Sequence, residues 1–137
     1  MTFAFFGIFA DRSPGLAEQL NNAWPDANVL LIDSPFQGIA ARLPARLYQA
    51  ELENIPEEAV SITRAISAMN PKVRFVLLRA NCWGGECFYW GQIVRGGNTT
   101  ASVDGDQALR RLIKTFGADL GESEIFAPLT RSYLWVA

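Results

Sequence analysis

The sequence predicts a single α+β domain, residues 1–137, built on a mixed, mainly antiparallel sheet of five or six strands with helices packed against it. Three observations lead there. Residues 73–95 form two β-rich runs around Gly84-Gly85, the strongest hairpin signal in the chain. Several segments repeat apolar residues at helical spacing. Half of the 137 residues are apolar, enough for one domain with a substantial core and too many for long disorder.

Residues 2–10 are a continuous apolar run, TFAFFGIFA, of the kind found in buried strands. The run lacks a basic flank and is short for a signal segment, so a strand is the expectation. Ser13 and Pro14 resemble a helix cap and first helical residue. Leu16, Ala17, Leu20 and Ala23 give one stripe of a helix near 14–23, stopped by Pro25. NVLLI (28–32) reads as a second strand. Strand, helix and strand in so short a span point to a parallel pair joined by a right-handed crossover, with an antiparallel arrangement left open.

Residues 36–54 are the least legible. Phe36, Ile39 and Leu43 fit an irregular or short helical stretch before Pro44. ARLYQAELE (45–53) has helical composition, although its alternation also permits a strand. A helix is expected over 57–69, opened by Pro56 and acidic residues, with Ala59, Ile62, Ile66 and Met69 on its stripe.

In the hairpin 73–95, a two-residue loop pairs Trp83 with Glu86, Cys82 with Cys87, Ala80 with Tyr89, Leu78 with Gly91 and Val76 with Ile93. The opposite face pairs Asn81 with Phe88, Arg79 with Trp90, Leu77 with Gln92 and Phe75 with Val94. We expect this hairpin at the centre of the sheet. TTASV (99–103) adds a short strand after Gly96-Gly97. Asp104 and Gln107 match a capping box for a helix near 105–116, whose stripe is Leu109, Leu112, Ile113 and Phe116. Ile125-Phe126 and residues 130–136 read as a final extended segment.

Composition excludes several functions. Histidine is absent, which removes Ser-His-Asp and Cys-His systems and His-liganded zinc. Twelve basic against 14 acidic residues, with no basic face, disfavour nucleic acid as a partner. No apolar stretch reaches the length of a membrane span. No cofactor motif is present, and neither glycine pair belongs to a dinucleotide or phosphate-binding loop. A cytoplasmic location is the default expectation.

The candidate residues fall into three groups. Cys82 and Cys87 flank the hairpin tip, where an oxidising compartment would close a disulfide or redox pair. A reducing cytoplasm would leave thiols there. Two cysteines without histidine do not make a metal site, and none is expected. Trp83 at the turn, with Glu86, Trp90 and Arg79, is the candidate partner surface, because aromatic residues concentrate at interface hot spots. Phe88 is expected in the core, and Arg79 opposite Trp90 could instead form a cation–π pair within the ribbon. Asp11 and Asp33 follow predicted strands, where α/β folds place ligand sites, although acids of this kind are commonly turn and cap residues.

The run Asn81-Cys82-Trp83-Gly84-Gly85-Glu86-Cys87, a buried strand leading through an aromatic residue and two glycines into a second strand, resembles small bacterial single-domain α+β proteins. Some of these are immunity proteins of toxin systems, and others are uncharacterised. The resemblance covers the hairpin and the general layout. It implies a non-enzymatic protein that binds and blocks a partner protein, a toxin. The competing expectation is a small enzyme or ligand-binding domain using Asp11, Asp33 or the Cys82/Cys87 pair.

Overall fold

The computed structural model describes residues 2–33, 35–44, 55–83, 86–105 and 107–120, with backbone alone for residues 2, 3 and 83. Six strands form one sheet: β1 (Thr2–Asp11), β2 (Asn28–Ile32), β3 (Gly38–Arg42), β4 (Phe75–Trp83), β5 (Glu86–Arg95) and β6 (Asn98–Asp104). Their order is β2-β3-β1-β4-β5-β6, and every neighbouring pair is antiparallel. Three helices complete the α+β domain: α1 (Leu16–Ala23), α2 (Glu57–Met69) and α3 (Ala108–Lys114).

Alternation along the strands divides the core into two layers. Phe6, Ile8, Ala10, Ile39, Ala41, Phe75, Leu77 and Val94 face Leu16 and Leu20 of α1 and Ala59, Val60 and Ile66 of α2. Phe5, Phe9, Ala40, Val76, Leu78, Ala80 and Val103 face Leu109, Leu112 and Ile113 of α3. Burial on both faces explains why β1 and β4 read as continuous apolar runs.

The hairpin register matches the sequence pairing residue for residue, from Trp83↔Glu86 to Phe75↔Val94. Its place differs from expectation. β1 and β4 are the two central strands, and β5 lies one strand from the edge. The Gly84-Gly85 loop lies outside the described residues. At the next turn Gly96 and Gly97 take φ of 59° and 85°, the left-handed pair that a type I′ hairpin needs. That turn is held on α2. The Gly97 N–H donates to Ser67 Oγ at 2.9 Å, and Arg64 Nε donates to the Gly97 carbonyl at 3.1 Å.

Several expectations are corrected. β1 and β2 do run in the same direction, but β3 stands between them. β3 itself, GIAAR, is a strand where the sequence predicts an irregular or short helical stretch, because two alanines and a glycine carry little β-propensity. Tertiary packing requires small residues there: a Cβ at Gly38 would stand 2.5 Å from both the Ala10 carbonyl oxygen and the Phe36 ring. α1 begins after Gly15 in the left-handed conformation, so Ser13 is not its cap. Asp104 ends β6, and α3 has no side-chain cap bond, so the capping box does not form. Met69 is largely exposed, and the buried stripe of α2 is Ala59, Val60, Thr63, Ile66 and Ser67. The expected elements at 45–53, 125–126 and 130–136 lie outside the described residues.

Candidate functional site

The sequence-predicted residues occupy two separate places. Asp11 and Asp33 lie at the carboxyl ends of β1 and β2, at the same end of the sheet. Both are engaged by arginines. Arg74 donates to Asp11 through its backbone N–H (2.8 Å), Nε (2.9 Å) and Nη2 (2.8 Å). Its Nη1 donates to the Thr115 carbonyl at 3.0 Å, and its guanidinium lies over the Phe116 ring. Burial pushes the Asp11 carboxyl up. The Arg74 hydrogen bonds and charge, helped by the charge of Arg95, outweigh burial and hold the carboxyl below its ordinary range. Asp11 therefore fastens the end of β1 to Arg74, just before β4, and Arg74 in turn holds the carbonyl at the end of α3. Asp33 is exposed and accepts from Arg12 Nη2 at 2.7 Å, while the same nitrogen donates to the Ile32 carbonyl. This geometry ties strand ends together.

The second place is the distal half of the β4–β5 hairpin. Cys82 and Cys87 face each other across the ladder with Cα atoms 4.0 Å apart and are joined by a disulfide. The structure thus holds the oxidised form of the pair that a reducing cytoplasm would leave as thiols. Trp90 is half-buried, Glu86 exposed, and the Trp83 side chain lies outside the described residues. Arg79, expected at the partner surface, is 1% exposed and lies in the interior, because its strand position faces inward between Phe6 and Trp90.

Phe88 takes the place expected of a surface aromatic. It is 50% exposed, where the sequence reading put it in the core. Its ring centroid lies 6.5 Å from that of Trp90. The two share a face with Glu86, by alternation along β5, and with Asp104, which pairs opposite Trp90. A groove of about 280 Å³ is lined by Cys87, Phe88, Tyr89, Trp90, Asp104 and Gly105. Two exposed acids, Glu86 and Asp104, therefore bracket an aromatic pair beside an open groove. The signal that could have found Phe88 is the length mismatch between strands: the short run near 99–103 cannot cover all of β5.

Among the described residues, no group of three or more Cys, Asp or Glu is placed to hold a metal, and no helix is long and apolar enough to cross a membrane. No family model, no curated protein and no solved structure matches this chain.

Proposed function

We propose that this protein is a non-catalytic protein-binding module that meets its partner through the distal end of the β4–β5 hairpin. The observation that carries this reading is the exposed Phe88, set beside Trp90 and a groove and flanked by Glu86 and Asp104. Large exposed apolar side chains grouped with a groove and rimmed by charge are characteristic of binding surfaces. The engagement of Asp11 and Asp33 by arginines favours this reading over a carboxylate site. An inhibitor or immunity protein that blocks a toxin is the form of the reading implied by the hairpin resemblance.

Site-specific crosslinking tests it. A photoreactive phenylalanine analogue at position 88 should yield one specific adduct in cells of the source, whereas the same analogue at exposed Met69 of α2 should not. Adducts that are identical from both positions, or absent at position 88, would overturn the proposal. The cytoplasm expected from the sequence would keep Cys82 and Cys87 reduced, so the redox state of the pair, trapped by alkylation in intact cells, also reports on its compartment.

A further inference from the structure

We infer that the partner contributes an extended strand, which pairs with the edge of β5 at Cys87 and lays an apolar residue, flanked by basic ones, against Phe88 between Glu86 and Asp104. This inference rests on the binding-module reading and specifies the occupant of the same site.

The first support is where β6 stops. β6 pairs with β5 from Arg95 back to Trp90, where Asp104 is its last residue. Gly105 then adopts φ of 95° and turns the chain away towards α3. β5 continues to Glu86 along β4. Over Glu86–Phe88, among the described residues, β5 has β4 on one side and no strand on the other.

The second support is the orientation of the backbone. In antiparallel ladders, closely spaced residue pairs are the ones that do not hydrogen-bond each other, and their N–H and C=O groups point outward. Cys82 and Cys87, with Cα atoms 4.0 Å apart, form such a close pair. Cys87 therefore directs its N–H and C=O away from β4. Ile93 has the same parity, and its carbonyl accepts from Thr100 Oγ1 of β6, so this set of groups does point to the β6 side. At Cys87, among the described residues, no strand pairs on that side.

The third support is the shape of the groove. It touches four consecutive residues, Cys87–Trp90, whose side chains alternate between the two faces of the sheet. A groove in contact with all four runs along the strand edge, as an added strand would. Its volume of about 280 Å³ lies just below the usual range for small-molecule sites. Strand addition uses main-chain hydrogen bonds for affinity and alternate side chains for selectivity. Glu86 and Asp104 supply that selectivity here by favouring basic residues on either side of an apolar one.

The test uses a blocked peptide, acetyl-Lys-Thr-Val-Thr-Lys-amide, titrated into the ¹⁵N-labelled disulfide form of the full chain. With Val facing Phe88, a Thr faces Cys87 and the first Lys reaches Glu86, while the last Lys, arriving where Asp104 already pairs with Trp90, leaves the edge and meets the Asp104 carboxylate. The expected result is a shifted and exchange-protected Cys87 amide. Affinity should fall about tenfold or more when both Thr amides are N-methylated, and by a similar factor when both Lys are replaced by Glu. Equal affinity of the N-methylated peptide would overturn strand addition while leaving Phe88 as a contact. So would the absence of any Cys87 shift at millimolar peptide, even with the position-88 crosslink still forming. A Cys87 shift that depends on protein concentration alone would place a second copy of this chain at the edge, and would also overturn the inference. Loss of the crosslink itself would remove the underlying reading.

Discussion

Leu112 of α3 rests on Gly91 of β5: a Cβ added at position 91 would stand 2.3 Å from Leu112 Cδ1 and 2.6 Å from the Leu77 carbonyl oxygen. The missing side chain lets α3 seat closely on its face of the sheet. Gly91→Ala should cost about 1–3 kcal/mol in urea unfolding, because overpacking forces neighbours to shift. Leu112→Ala should cost about 2–5 kcal/mol as a buried leucine leaves a cavity. The double variant should lose less than the sum, since the smaller residue at 112 makes room for the added methyl group. Strict additivity would show that the two residues do not share this contact.

Asp11 makes stability depend on acid. Its folded pKa is depressed, so the unfolded chain takes up this proton first, near its ordinary value of about 3.9. The contribution is fully present above that value and is lost as pH falls through the lower folded pKa. Stability should therefore decline below about pH 5, more steeply in the wild type than in Asp11→Asn. At neutral pH, Asp11→Asn should cost about 1–2 kcal/mol, since a charged acceptor of three Arg74 hydrogen bonds is replaced by a neutral one. Parallel pH curves for the two proteins would contradict this role.

The disulfide closes a short loop, Cys82 and Cys87 having a sequence separation of 5. The chain-entropy account gives about 2 kcal/mol for so short a loop. The double variant Cys82→Ala/Cys87→Ala should lose no more than that and should retain the hairpin register. Mass spectrometry with a thiol-alkylating reagent should add two labels after reduction and none before. Two labels on the untreated protein would show that the thiols are free.

Phe88→Ser should separate folding from binding. An exposed substitution of this kind shifts stability by about half a kcal/mol or less. Loss of a central aromatic contact should weaken partner binding by about 2 kcal/mol, roughly thirtyfold. Calorimetric unfolding and a binding titration measure the two quantities on the same sample. A large stability loss would make Phe88 a structural residue.

How far the sequence could be read depended on whether local pattern or tertiary packing decided each element. The β4–β5 register was legible because a two-residue turn and period-two alternation leave little choice. The stripe of α3 was legible for the same local reason. β3 was not, since Gly38 serves a close approach to Phe36 and β1, and its alanines carry little β-propensity. Asp11 could be seen as a strand-end acid, but its partner Arg74 is 63 residues away in sequence. Arg79 and Phe88 exchanged their expected environments. Hydropathy puts an aromatic inside and a cation outside, whereas strand position buries Arg79, and the end of β6 uncovers Phe88.

The most direct measurement is residue-resolved amide exchange of this protein, free and bound to the partner captured at position 88. Bound partner should slow exchange at Cys87 by about tenfold or more and leave the exposed face of α2 unchanged. Protection confined to α2 or the β2 edge, with Cys87 unaltered, would contradict a binding site on the β5 edge.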